Sequence, residues 1–240
     1  MDFSEITAVI LAGGLGTRLS SVVSDRPKIL APIGERPFLS YVLDQLIGIG
    51  IQHAVLCTGY LGDMVQASFG DNYGTMHLAY SKEPAPLGTA GAIRFANHLF
   101  KSDLILVMNG DSYCQADFNK FLQYHKKNDS KATLLLTHVP DTGRYGQVKT
   151  TPNGALDCFV EKGVGGGPGW INAGIYLLDR ALITPIPLDH VVSIEKEVFP
   201  NWIGRGIYGY HSAGYFIDIG IPEDYMKAEE FFKGTISPRL

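Results

Sequence analysis

A chain of 240 residues with 45% hydrophobic and 18% charged side chains has enough apolar material for a core that needs no disulfide or metal staple. Lys+Arg 20 against Asp+Glu 24 leaves a formal net charge of −4, which excludes the broadly basic surface of a general nucleic-acid binder. The 28 glycines are the outlier, and their placement decides whether they are linker or backbone shaped for close approach to a ligand.

The N-terminus begins acidic, without the basic stretch that precedes the apolar run of a signal peptide. The apolar run 6–11 ends in Gly13, Gly14 and Gly16, the pattern of a buried strand opening into a loop. Residues 38–49 place Phe38, Leu39, Val42, Leu43, Leu46, Ile47 and Ile49 at helical spacing between Pro37 and Gly50. Strand 53–58, helix 62–69, strand 76–81, helix 90–99, strand 103–108, helix 117–127 and strand 133–139 follow. This alternation predicts an α/β fold: a doubly wound, mostly parallel Rossmann-like sheet with helices on both faces.

Beyond Pro140 the rhythm changes. Segments 147–150 and 156–160 flank Pro152-Asn153-Gly154 as a hairpin, and 171–178 is a further strand. A short helix at 194–199, short strands at 207–211 and 215–219, and a helix at 222–232 complete the chain. Pro222 in its first turn, with Glu223 and Asp224, marks the start of that last helix. No linker separates two cores, and no hexapeptide repeat announces a β-helix, so one domain with a mixed second half is expected. Cys57, Cys114 and Cys158 form no C-x-x-C pair, and no apolar stretch approaches the length of a bilayer span. A cytoplasmic protein with no membrane or nucleic-acid partner is expected; a homo-oligomer stays open.

The string Leu11-Ala12-Gly13-Gly14-Leu15-Gly16-Thr17-Arg18-Leu19 carries the sharpest chemistry. Its backbone N–H groups can approach phosphate oxygens, although Leu19 breaks the dinucleotide fingerprint and no G-x-x-x-x-G-K-[ST] string occurs. Arg18 within it and Lys28 ten residues on add cations suited to a polyphosphate. Asn109-Gly110-Asp111 follows an apolar strand, which puts Asp111 at the edge where open parallel sheets bind ligands. An Asp there holds Mg²⁺ or caps a turn. Glu161-Lys162 precedes the glycine run 163–169, which is either a flap or a solvent loop. The seven histidines show no paired metal-ligand spacing, and the cysteines sit beside strands as core residues.

Taken in order, these strings resemble the sugar nucleotidyltransferases, or nucleotidyl-sugar pyrophosphorylases. The opening A-G-G-x-G-T-R-L stands here at 12–19 with Pro27-Lys28 after it. Pro86-Leu87-Gly88-Thr89-Ala90-Gly91, Asn109-Gly110-Asp111, Phe159-Val160-Glu161-Lys162, Asn172-Ala173-Gly174 and Asp218-Ile219-Gly220 continue the match across essentially the whole chain. Ile29 and Ser20 depart from prolines common in the family, away from the chemistry.

The resemblance implies a Mg²⁺-dependent enzyme that joins a nucleoside triphosphate to a sugar 1-phosphate and releases pyrophosphate. Its nucleotide half would be about 1–140 and its sugar-phosphate half about 141–240. It assigns the nucleotide to Leu11, Ala12, Gly13, Gly14, Gly16, Thr17, Arg18, Glu83, Pro86, Gly88, Thr89 and Asp111, with catalytic roles for Arg18, Lys28, Asp111 and Lys162. Asn109, Tyr145, Gly146, Glu161, Lys162, Asn172 and Gly174 would hold the sugar phosphate, and Asp111 and Asp218 the metal. Glu83 leans toward guanine, whose N1–H and N2–H₂ edge suits a carboxylate, or else it faces the N-terminus of the following helix. Arg144-Tyr145-Gly146 and Ser193-Ile194-Glu195-Lys196-Glu197 are most similar to D-glycero-α-D-manno-heptose 1-phosphate guanylyltransferases. Mannose-, glucose- or N-acetylmuramate-1-phosphate enzymes using GTP, UTP or dTTP are the alternatives, and a non-catalytic sugar-nucleotide-binding subunit is the alternative of another class.

Overall fold

In chain order the elements are β1 (Thr7–Leu11), β2 (Pro32–Ile33), β3 (Arg36–Pro37), α1 (Phe38–Gly48), β4 (His53–Thr58), α2 (Gly62–Phe69), β5 (Asn72–Tyr73), β6 (Met76–Lys82), α3 (Gly88–Ala96), β7 (Leu104–Asn109) and β8 (Ser112–Cys114). Then come α4 (Phe118–Lys127), β9 (Ala132–Val139), β10 (Gln147–Thr150), β11 (Leu156–Val160), β12 (Gly169–Asp179), α5 (Phe199–Trp202), β13 (Ile207–Ser212), β14 (Phe216–Asp218) and α6 (Pro222–Ile236). The computed structural model describes residues 2–14, 16, 18–19, 21–160, 166–188 and 190–236.

Eight strands form the central sheet in the order β13-β9-β12-β7-β1-β4-β6-β5. Successive side chains of a strand point to opposite faces, and here they feed two cores. Ala8 and Ile10 of β1, with Leu106 and Met108 of β7, pack toward α1 and α4. Val9, Ile105 and Val107 pack on the other side, against Ala92, Ile93 and Ala96 of α3. In α1 the predicted stripe is the buried face, since Phe38, Leu39, Val42, Leu43 and Leu46 are fully enclosed. Burying each such side chain contributes roughly 1.5–3 kcal/mol. Among the described residues, no helix is long and apolar enough to cross a membrane.

Strands β7, β1, β4 and β6 run parallel as expected. β12 runs antiparallel between β7 and β9, and its pairing with β9 breaks between Asn172 and Tyr176. The hairpin of β10 and β11 forms around Gly154. Two expected elements differ in detail. Strand 215–219 shortens to β14 and leaves the main sheet to pair with β8, a strand too short to show a pattern. Helix 194–199 is a wide turn over Ile194–Val198 that runs into α5.

The buried His125 of α4 has its Nδ1 2.8 Å from Thr133 Oγ1, and burial lowers its pKa to about 4. The unfolded chain takes up this proton near pH 6.5, so the contribution is whole above that pH and is lost as pH falls toward 4. Between pH 7 and 4.5 the wild type should lose about 2 kcal/mol more stability in urea melts than His125→Gln. Equal losses would acquit His125.

Candidate active site

Register decides where the loops open. Leu11 of β1 lies beside Cys57 of β4 and Asn109 of β7, while Thr58 of β4 lies beside Lys82 of β6. Four parallel strands therefore end level, and the segments that follow them meet along one carboxyl edge. There they enclose a cleft of about 300 Å³. Leu11, Ala12, Gly13 and Gly14 line one wall; Glu83, Pro86, Gly88 and Thr89 line the facing one; Lys28, Asn109 and Asp111 complete it. Cys57 lies in its floor, and burial followed by the charge of Glu83 pushes the thiol far up, so it stays protonated and unreactive.

The glycine loop leaves β1 with Ala12 N–H donating to Cys57 O at 2.8 Å. A Cβ at Gly13 would stand 2.6 Å from Glu83 Oε1, so only glycine lets that carboxylate lie over the loop. The other oxygen, Oε2, accepts the Leu87 N–H at 2.8 Å, at the N-terminus of α3. The helix-facing reading of Glu83 is realised by Oε2, while Oε1 lies toward Gly13 in the cleft lining. Burial raises the pKa of this carboxyl.

At the other end of the cleft, Lys28 donates to Asp111 Oδ2 in an ion pair whose side chains are 12% and 25% exposed. Asp218 joins them through the β8–β14 pairing. Ile219 N–H donates to Asp111 O at 3.0 Å, and Gly220 N–H donates to Asp218 Oδ1 at 2.6 Å. Burial and the neighbouring charge of Asp111 raise the pKa of Asp218, while Lys28 opposes the shift. Two carboxylates held close enough to repel, partly neutralised by one lysine, form a locus built for added positive charge. Among the described residues no group of three or more potential ligands gathers, and two carboxylates are what Mg²⁺ takes when phosphate oxygens and water supply the rest. Arg18 is exposed, and its charge bears on Asp218 and Tyr145.

The remaining predicted residues come from the second half. The register break in β12 contains Gly174, with φ +74°, a conformation suited to glycine. A Cβ there would stand 2.3 Å from Asn109 Nδ2, so β12 closes directly on the end of β7. Gly174 N–H donates to Asn172 Oδ1 at 2.9 Å, which fixes the orientation of that amide. Tyr145 packs edge-on against Phe216 of β14, at 5.7 Å between ring centroids, and Arg144 lies over its ring. Gly146 follows in a turn closed by its N–H to Thr142 O at 3.1 Å.

Sequence comparison decides the family. The nucleotidyl transferase family model matches residues 7–234. The chain belongs to that family. It is 38% identical over 224 residues to the D-glycero-α-D-manno-heptose 1-phosphate guanylyltransferase of Aneurinibacillus thermoaerophilus, covering 93% of this chain and 96% of that relative. Identity to the mannose-1-phosphate guanylyltransferase of Mycobacterium tuberculosis is 36% over 242 residues, 99% of this chain and 67% of the relative. Among solved structures, HddC from Yersinia pseudotuberculosis complexed with GMP-PN superposes with a TM-score of 0.84 at 38% identity, covering 95% of this chain and 99% of that one.

Within this nucleotidyl transferase the structure gathers Leu11, Ala12, Gly13, Gly14, Lys28, Glu83, Pro86, Gly88, Thr89, Asn109 and Asp111 in one cleft, with Asp218 adjoining Asp111. Gly16 stands outside the cleft lining, with φ +64° and its missing Cβ facing Lys28 Cβ at 3.4 Å. Thr17, Glu161 and Lys162 lie outside the described residues. Sequence reasoning gave no role to Tyr176 or to Glu195, whose carboxylate accepts from Thr89 Oγ1 at 2.9 Å. Tyr176 sits in an apolar strand like any core aromatic, and Glu195 sits in a mixed-charge stretch like any solvated turn. The one available signal was that the Glu195 stretch looked specific to one branch of the family.

Proposed function

We propose that this protein is a sugar-1-phosphate guanylyltransferase that converts GTP and D-glycero-α-D-manno-heptose 1-phosphate into GDP-heptose and pyrophosphate in the cytoplasm. The observation that carries this reading is the meeting, in one cleft, of the glycine loop, Glu83 and the Lys28–Asp111 pair, with Asp218 adjoining Asp111. The guanine and heptose assignments are supported by relatives that match nearly full length in both chains.

An oxygen of the sugar phosphate attacks the α-phosphorus in line. The new P–O bond forms as the α–β bridging bond breaks, and pyrophosphate carries away the electron pair. The nucleophile is already an anion, so what the protein supplies is alignment and charge neutralisation. Gly13, Gly14, Gly16 and Thr17 present the loop to the triphosphate, and Arg18 takes its departing β,γ portion. Glu83 Oε1 receives the guanine edge, while Pro86, Gly88 and Thr89 bound its ring. Lys28 offers its ammonium to the reacting phosphates, and Lys162 seats the attacking one. Asn109, Glu161, Asn172 and Gly174 hold the sugar, with Tyr145 and Gly146 against it. Asp111 and Asp218 would hold Mg²⁺, which supplies Lewis-acid neutralisation of the phosphate oxygens when bound.

A matrix of five nucleoside triphosphates against a panel of sugar 1-phosphates, read by pyrophosphate release, tests the assignment. GTP with the manno-heptose 1-phosphate should give the highest kcat/KM. GTP inactive with the manno-heptose 1-phosphate while another pair works would refute the specificity alone; no productive pair would refute the activity. Mannose 1-phosphate with GTP is the second reading, favoured by the 36% identity to the mycobacterial enzyme.

A further inference from the structure

Glu195 links Thr89, in the lining of the cleft, to Tyr176 of β12. Its carboxylate accepts three hydroxyl hydrogen bonds: from Thr89 Oγ1 at 2.9 Å and Ser193 Oγ at 3.1 Å on Oε2, and from the Tyr176 phenol at 3.2 Å on Oε1. The outer ends of the chain are polarised the same way. Ile194 N–H donates to Thr89 Oγ1 at 2.8 Å, and Asn172 Nδ2 donates to the Tyr176 oxygen at 2.7 Å. The hydrogen bonds donated by the Asn172 amide and by the Ile194 N–H therefore both run inward toward one carboxylate. Because Gly174 N–H occupies Asn172 Oδ1, the amide cannot turn over without losing both contacts.

The same segment grips the start of α3 by its backbone. Val192 N–H donates to Leu87 O and Ala90 N–H donates to Val192 O, each at 2.9 Å. Gly88 has φ +72°, and a Cβ there would stand 2.6 Å from Val192 O. The start of α3, the segment 192–195 and the bulge of β12 thus form one hydrogen-bonded body. Tyr176 is fully buried, and burial together with the charge of Glu195 keeps its phenol protonated, so it remains a donor at all working pH values.

We propose that Glu195 is a positioning residue that couples the two substrate sites, transmitting order from Thr89 on the nucleotide side through Tyr176 to Asn172 on the sugar side. This inference rests on the guanylyltransferase reading. A nucleotide that fixes Thr89 fixes Glu195, and through Tyr176 it sets the Asn172 amide before the sugar phosphate arrives. The ordering cost is then met by the first ligand and spared for the second, which is positive cooperativity between sites. A carboxylate suits this task because three hydroxyls can all donate to it. The isosteric amide has one oxygen, so in Glu195→Gln either Thr89 and Ser193 or Tyr176 must face an N–H₂ donor.

The test is titration calorimetry with a GTP analogue that carries a methylene at the α,β bridge, in Mg²⁺, and the sugar 1-phosphate turned over fastest in the matrix above. The readout is the ratio of sugar-phosphate Kd without and with the analogue. In the wild type this ratio should be at least about fivefold, the lower end of typical site coupling. It should fall to within about twofold of unity in Glu195→Gln, and likewise in Tyr176→Phe, which removes only the hydroxyl link. Loss of the ratio is a signature that general loosening does not give, because a merely structural role weakens sugar-phosphate binding with and without analogue alike. A ratio preserved in both variants, or a wild-type ratio of one, overturns the coupling and leaves the enzyme assignment standing. Failure of the wild type to bind either ligand overturns both.

Discussion

Asp111→Asn is expected to lower kcat at least about 100-fold at saturating Mg²⁺, the scale for losing one preorganised charge stabiliser. The amide keeps the shape of the side chain, and the tie that anchors β14 here is made by the main-chain oxygen of residue 111, so the local fold should survive. What changes is charge. Lys28 loses its ion-pair partner, and Asp218 is relieved of the like charge that helps burial raise its pKa. Lys28 and Asp218 are then left to neutralise one another, and one carboxylate remains where two would hold the cation. Mn²⁺ binding followed by EPR should weaken together with turnover. A variant that turns over within about threefold of wild type would remove Asp111 from the chemistry.

The same cluster shows what was legible in the sequence and what was not. The loop at 11–19 announced itself because glycines and cations directly follow an apolar run, and chain order alone puts that loop at a strand end. Asp111 was legible for the same reason. The proximity of Asp218 to Asp111 was visible only through family resemblance, since it depends on β8, a strand of three residues without measurable periodicity. The direction of β12 was also hidden: alternation reports which faces a strand buries and is the same whichever way the strand runs. Its insertion between β7 and β9 brings Gly174 onto Asn109 and Tyr176 under Glu195. Hydrogen-bond partners separated by 106 positions, such as Thr89 and Glu195, leave no trace in local pattern.

Charge placement reconciles a net −4 chain with polyanionic substrates. Lys28 shelters in the cleft against Asp111, and the charge of Arg18 bears on Asp218, so positive charge is focused at this end of the cleft. Lys28 is held by a carboxylate that a metal would claim. On the proposed reading Asp111 and Asp218 would hold Mg²⁺, which would supply further positive charge beside Lys28.

Glu83→Gln should abolish the preference for GTP, lowering kcat/KM for GTP by about 100-fold or more while changing UTP much less. The argument rests on the Leu87 N–H, which donates to Oε2 and demands an acceptor there. A glutamine must give its one oxygen to that bond, which turns its N–H₂ group toward Gly13 and the cleft. Where, on the proposed reading, the wild type would offer guanine an acceptor for N1–H and N2–H₂, the variant would offer a donor, so donor would meet donor in a confined site. Uracil presents acceptors on both sides of its N3–H, and the new donor suits one of them. The pH dependence carries the same sign. Burial raises the Glu83 pKa, so the carboxyl takes up its proton at higher pH than an ordinary glutamate. The wild-type ratio of GTP to UTP kcat/KM should therefore fall as pH drops toward the acid range, and Glu83→Gln should show a low ratio that does not respond to pH. A variant that keeps the GTP preference would move base recognition away from Glu83 and leave it as the cap of α3.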